Sequence, residues 1–236
     1  MNTSGKIAVI TGAVGNLGSA TARAFQSAGF KTVLVDRSQD RLQSAFPELL
    51  GSDHLLCGGV DLTSPDSANQ LVERIRSVFD RIDVLVNTVG TWRGGSPVHE
   101  TDLADWDFLL AANLRSTLCS CKAVVPLMLQ QRSGRIINVG SRDALAGSAG
   151  YAAYSASKAA VIRLTESLAD ELKVHRINVN CILPGTIDTP PNRTALPQAD
   201  FSKWVEPAAL ADVILFLASD AARAVTRAII PVYGKG

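Results

Sequence analysis

Apolar runs of five to seven residues alternate with stretches of helical period along nearly the whole chain. Segments 6–11, 31–36, 54–58, 82–87, 135–139, 177–183 and 228–232 read as strands, being short and largely apolar, the first of them a continuous run bounded by glycine-rich chain. Strands of that kind are buried on both faces, the habit of parallel sheets. Segments 17–25, 66–79, 102–130, 154–175 and 206–217 read as helices. Tight turns cannot join parallel neighbours, so each helix must be a crossover lying on one face of the sheet. The expectation is an α/β, three-layer, doubly wound fold with a seven-stranded, mostly parallel sheet.

At 236 residues the chain suits a single domain, 1–236, with a sizeable core. Its formal net charge of +1 and lack of a basic block give no footing to a nucleic acid or an anionic membrane. No uninterrupted apolar run approaches the roughly 18 residues that cross a bilayer, and residues 1–5 lack the features of a secretory leader. The cytoplasm is the expected location. Cys57, Cys119, Cys121 and Cys181 form no metal-type pairs and only three histidines are present, so neither disulfides nor a metal are expected. The stretch 186–205, rich in Pro, Asn, Asp and Thr, reads as a short lid.

The first strand runs into Thr11-Gly12-Ala13-Val14-Gly15-Asn16-Leu17-Gly18. Glycines there let backbone approach a pyrophosphate, whose charge meets free amides at a helix start. Asp36 closes the next strand and is placed to accept hydrogen bonds from the adenosine ribose hydroxyls while repelling a 2′-phosphate. No Lys or Arg lies between Gly12 and Gly18, which favours NAD(H) over NADP(H); neighbouring Arg37 is the feature that would serve NADP(H) instead. Asp61-Leu62 follows the third strand, within reach of adenine, and Asn87 to Gly90 follows the fourth with little bulk.

Tyr154 and Lys158 are four residues apart on one helix and share a face. A lysine ammonium about 4 Å from a phenol, at an effective dielectric of about 20, favours phenolate by up to about 4 kcal/mol. Tyr154 then serves as general acid or base, with Ser141 holding the substrate oxygen and Lys158 also reaching the nicotinamide ribose. Tyr151 has Ser155 rather than a lysine four residues on, so it gains no such ammonium. Asn113, inside a long helix, must be exposed or functional, since a buried amide without partners is costly. Asp143 and Asp188 form a conceivable acid–base pair that nothing in the sequence brings together.

With these motifs together, the chain resembles the short-chain dehydrogenase/reductase family over essentially its whole length. Thr11-Gly12 to Gly18, Asp61-Leu62, Asn87 to Gly90, Asn113, Ser141, Tyr154-Ser-Ala-Ser-Lys158 and Pro184-Gly185 to Thr189 carry the resemblance. It implies a Rossmann fold and a catalytic set of Asn113, Ser141, Tyr154 and Lys158. It also implies that Asn113 anchors a relay water through its helix backbone, that Ile187 holds the carboxamide and that Thr189 assists the cofactor. Asn16 stands where the family turn has glycine, an exchange tolerable if Asn adopts the left-handed conformation. Thr226-Arg227 replaces a common Thr-Gly.

The lid and Thr91-Trp92-Arg93-Gly94-Gly95 are similar to dihydropteridine reductases, which makes reduction of a quinonoid dihydropterin an alternative. Trp92, Trp204, Arg142 and Tyr151 are the candidate substrate contacts. A non-catalytic dinucleotide-binding protein is the alternative of a different class. The expected partners are a small carbonyl or alcohol and further copies of the chain. Ala152, Ala153, Ala156, Ala159 and Ala160 permit close helix approach, pointing to a homotetramer or homodimer.

Overall fold

The apolar runs become strands of one sheet. In the computed structural model, which describes residues 5–235, these are β1 (Ile7–Thr11), β2 (Lys31–Val35), β3 (Leu55–Cys57), β4 (Val84–Asn87), β5 (Gly134–Val139), β6 (Ile177–Pro184) and β7 (Ile229–Val232). Their order is β3-β2-β1-β4-β5-β6-β7, and every neighbouring pair is parallel. The expectation of a doubly wound sheet is met, with no antiparallel edge. Most of the segment in which no leader was expected, residues 1–4, lies outside the described residues.

The helices are α1 (Asn16–Ser27), α2 (Gln39–Ala45), α3 (Pro65–Phe79), α4 (Leu103–Leu109), α5 (Ser116–Gln131), α6 (Ala152–Leu172), α7 (Pro190–Ala195) and α8 (Pro207–Ala218). The pleat of β1 divides the core. Ile7 and Val9 face the cluster built with α3 and α5, whereas Ala8 and Ile10 face the one built with α1 and α8. Each buried Ile, Val or Leu contributes roughly 1.5–3 kcal/mol, so neither face can be left bare. That is why the strands read as solid apolar runs.

Sequence periodicity missed α2 and α7, which have seven and six residues. Only Leu42 of α2 is buried, too little for a pattern, and its start is fixed locally by the Ser38 hydroxyl accepting from Arg41 N at 3.2 Å. The helix expected over 102–130 is continuous but not uniform. Between α4 and α5, Leu110–Arg115 is π-helical, and Asn113 lies inside that wider turn. The whole stretch Leu103–Gln131 has the length and apolar composition of a membrane span, which a search for uninterrupted apolar runs does not bring out. Here α5 is a core helix: Cys121, Val124 and Met128 pack on the sheet, and buried Ser116, Thr117 and Ser120 are all hydrogen-bonded.

Candidate active site

The sheet order reverses at the β1–β4 boundary, so a crevice opens at the carboxyl ends of these strands. Thr11 and Thr88 tie its two lips. Thr11 Oγ1 accepts from Thr88 N at 3.2 Å, and Thr88 Oγ1 donates to the Thr11 carbonyl at 2.5 Å. The hydroxyl of Thr11 is therefore committed to the scaffold. Thr88 had no motif to reveal it, because its partner is 77 residues away.

The turn after β1 is built for close approach. Gly12 has φ +63°, and a Cβ on Gly18 would lie 2.1 Å from the Gly12 carbonyl oxygen. Gly15 precedes α1, and no side chain caps the helix, leaving the amides of Asn16, Leu17 and Gly18 facing the turn. The left-handed conformation expected of Asn16 is not used: Asn16 is the first residue of α1, and Gly12 alone makes the reversal. Asp36 sits at the tip of β2, its Oδ1 accepting from Ser38 N at 3.3 Å, with Arg41 4.0 Å away. Arg37 is exposed. Asp61 accepts from Thr63 N and Thr63 Oγ1 at 2.9 and 2.8 Å, bonds that hold its carboxyl below the usual range, while Leu62 is buried.

Asn87 is spent on the interior. Its Nδ2 donates to Asn138 Oδ1 at 2.9 Å, and its Oδ1 accepts from Ser120 Oγ at 2.7 Å, lacing β4 to β5 and α5. Only its backbone is left for a ligand. Asn113 is buried yet fully partnered, which corrects the choice between exposed and functional. Its Oδ1 accepts from Thr91 N at 2.8 Å, and its Nδ2 donates to the Thr91 carbonyl at 3.1 Å and to Ser157 Oγ at 2.9 Å. One amide thus pins the loop after β4 to α6.

Ser141 follows β5, and Tyr154 and Lys158 lie on the first turns of α6. Ser141 is close enough to the Tyr154 phenol to act on its pKa, while its own hydroxyl bonds Asp143 at 3.2 Å. The arrangement departs from the expected ammonium-activated phenol. Burial raises the Tyr154 pKa, Ser141 opposes this, and the charge of Asp143 adds to the rise. Lys158 points to the sheet instead, donating from Nζ to the Val139 carbonyl at 2.9 Å, and burial brings its pKa down to about 8. Gly90 makes room for this: a Cβ there would lie 2.9 Å from Lys158 Nζ and 3.1 Å from Asn113 Oδ1.

The profile of the short chain dehydrogenases matches residues 6–200. The chain belongs to the short-chain dehydrogenase family. It is 36% identical to the 3-oxoacyl-(acyl-carrier-protein) reductase FabG of Thermotoga maritima, with 99% of this chain and 98% of that protein covered. It is 34% identical to BbsD of Thauera aromatica, a subunit of a hydroxy(phenyl)methylsuccinyl-CoA dehydrogenase, over 99% of this chain and 97% of that one. Among solved structures, NAD+-bound xylitol dehydrogenase superposes with a TM-score of 0.90 at 26% identity, covering 99% of this chain and all of the other. The protein is thus a short-chain oxidoreductase with a nicotinamide dinucleotide site and a small-molecule substrate.

The fit of that dinucleotide to this short-chain dehydrogenase can be tested on the turn itself. The Gly12–Gly18 cradle has no room for a Cβ at Gly18, and its helix amides are uncapped, the donor set a pyrophosphate requires. Across the site, Pro184 ends β6 and Gly185 packs so close to Tyr233 that a Cβ would lie 2.9 Å from that residue's carbonyl oxygen. The lid then starts and ends against itself: Ile187 bridges Val205, and Asp188 N donates to the Val205 carbonyl at 2.8 Å. Buried Thr189 caps α7, its hydroxyl accepting from Asn192 N at 3.3 Å.

Asp188 forms a two-pronged ion pair with Arg193 within the lid, while Asp143 bonds Ser141, so these two acids do not form a pair. The candidate substrate residues separate in the same way. Half-exposed Trp92 packs against Tyr151, ring centroids 5.7 Å apart, at the mouth of the site. Trp204 packs on Phe201 inside the lid at 4.8 Å, and Arg142 lies over the ring of Tyr233 at 5.9 Å.

Proposed function

We propose that this short-chain oxidoreductase interconverts a small carbonyl compound and its secondary alcohol, with NAD(H) as preferred dinucleotide and Tyr154 moving the proton. The observation that carries the reading is Lys158, four residues after Tyr154 on α6, bonding the Val139 carbonyl at the end of β5 that leads into Ser141, in the space left by side-chain-free Gly90. Relatives named as a 3-oxoacyl reductase and a xylitol dehydrogenase support carbonyl–alcohol chemistry.

Hydride chemistry is what the dinucleotide contributes when bound. The amides of Asn16, Leu17 and Gly18, with Gly12, Gly15 and the Thr11-braced turn, would hold its pyrophosphate. Asp36 would hold the adenosine ribose, with Asp61 and Leu62 near adenine. The backbone of Asn87 and Gly90, with Pro184, Gly185, Ile187 and Thr189, would line the nicotinamide end. Asp36 lies on the half-buried floor of the ribose side whereas Arg37 is exposed, which supports NAD(H).

The chain's own groups handle the proton. Tyr154 is held as a neutral phenol by burial, the form that donates to a developing alkoxide, and Ser141 fixes the oxygen that receives it. Asn113 holds the Thr91 loop and α6 in register. Tyr154→Phe removes the transferable proton with little change of shape. Turnover of a ketone should fall by a factor of at least about a thousand with NADH affinity within a few-fold; equal turnover rejects the assignment. Fluorescence titration with both reduced dinucleotides tests the cofactor choice: NADH should bind tighter, and Asp36→Ala should narrow the gap.

Reduction of a quinonoid dihydropterin is a second reading, supported by Trp92, whose half-exposed ring beside Tyr151 offers a planar substrate a face. Including that substrate in an NADH-linked screen separates the two. The single domain would assemble as a homotetramer or homodimer, supported by exposed Leu103, Phe108 and Leu118 along α4 and α5 and small Ala156 on α6; light scattering reads the state.

A further inference from the structure

A carboxylate stands beside the proton-transfer groups, and among the described residues no ion pair answers it. We propose that Asp143 is a specificity-determining residue, which selects substrates bearing a hydrogen-bond donor (a hydroxyl or an amine) on the carbon next to the reacting one and disfavours those bearing a carboxylate there. The inference rests on the carbonyl–alcohol reading of the site and names its substrate class.

Asp143 lies in the one-turn segment Arg142–Ala144 directly after Ser141. Ser141 Oγ accepts from Asp143 N at 3.2 Å and donates to Asp143 Oδ2 at 3.2 Å, so the serine hydroxyl is closed onto this residue. The carboxyl is half-buried, and its charge reaches Tyr154. Arg142, the adjacent cation, is turned onto the ring of Tyr233 and is exposed. Among the described residues no ion pair involves Asp143.

A serine hydroxyl has one proton. To hold the substrate oxygen, Ser141 must withdraw that proton from Asp143, leaving a half-buried carboxylate short of a donor beside the reacting carbon. A substrate hydroxyl or amine on the neighbouring carbon restores the lost bond. A substrate carboxylate at that place sets two like charges together in a partly desolvated site. A purely turn-capping Asp143 predicts no such preference, because its backbone amide makes the capping bond.

Four matched secondary alcohols test this as dead-end ligands of the NADH-loaded enzyme: propane-1,2-diol, 1-aminopropan-2-ol, butan-2-ol and lactate. They differ only in the neighbouring group, and fluorescence of bound NADH reads their affinity without turnover. The diol and the amine should bind tighter than butan-2-ol, and lactate weaker than the diol by about tenfold or more. Asp143→Asn should erase most of the gap between diol and lactate, and Asp143→Ala gives a second reading with no side-chain acceptor. An unchanged order in both folded variants, or wild-type lactate binding as tight as the diol, overturns the assignment. The comparison of diol with amine tells a neutral from a cationic substrate. Unchanged turnover in Tyr154→Phe would reject the proton donor while leaving this order of affinities to be read on its own.

Discussion

Replacing Lys158 by Met should make the dinucleotide-free protein more stable at neutral pH, and the gain should disappear in alkali. Burial brings the Lys158 pKa from 10.5 down to about 8 in the native state. Below pH 8 the amine is protonated both in the folded and in the unfolded chain, so the full cost of burying the charge is present. Between pH 8 and 10.5 the unfolded chain keeps a proton that the native state has released, so stability rises with pH through that window. The shift of about 2.5 units corresponds to about 3 kcal/mol in all, of which about 2.5 kcal/mol is regained between pH 7 and 10. The variant also loses the bond to the Val139 carbonyl, a cost of about 1 kcal/mol that does not vary with pH. It should therefore lead by about 2 kcal/mol at pH 7 and be level with wild type near pH 10. Urea unfolding of both proteins at the two pH values measures this, and the subtraction cancels every other titration they share. A stability difference that stays constant between pH 7 and 10 would refute the claim that a charge is buried here at neutral pH.

If Tyr154 moves the proton, its raised phenol should make kcat/KM for alcohol oxidation still climb at pH 10, while ketone reduction should stay flat through neutrality and decline only in alkali. An oxidative limb that levels off near pH 7 would show that the free enzyme holds a phenolate instead. Gly18→Ala drives a Cβ to 2.1 Å from the Gly12 carbonyl, so the turn must shift: stability should fall by about 1–3 kcal/mol and NADH affinity by about tenfold or more, read by melting and by fluorescence titration. Asn113→Ala leaves part-buried Thr91 N and the Thr91 carbonyl without their partner and removes one of the two bonds of Ser157 Oγ, with an expected loss of about 1–3 kcal/mol by denaturant unfolding. A loss below about 0.5 kcal/mol would show that water replaces the amide without cost.

Seven apolar runs led directly to seven strands because burial on both faces keeps them largely apolar, the few buried polar residues such as Asn87 and Asn138 being paired. The glycine turn was legible for a similar reason: only glycine fits where Gly12 reverses and Gly18 meets the Gly12 carbonyl. What escaped the sequence depends on partners far along the chain. Thr88 matters through Thr11, 77 residues back, and Asn113 through Thr91 and Ser157, 22 and 44 residues away. No local period encodes such pairs. Arg227 shows the same limit in the backbone, holding φ +61°, a conformation that favours glycine, with its amide donating to the Val179 carbonyl at 2.8 Å.

The Tyr154–Lys158 pair marks the boundary between what spacing can and cannot say. A separation of four residues puts two side chains on one helix face, but does not fix how deep each reaches. Here the lysine is the deeper of the two, drawn to the Val139 carbonyl through the gap that Gly90 leaves, while the phenol is only half-buried. The lysine therefore ties α6 to the end of β5 through the Val139 carbonyl, while the Ser141 hydroxyl is bonded to Asp143. On that geometry the two pH predictions rest on different residues: the profile of the reaction on Tyr154, and the pH dependence of folding on Lys158.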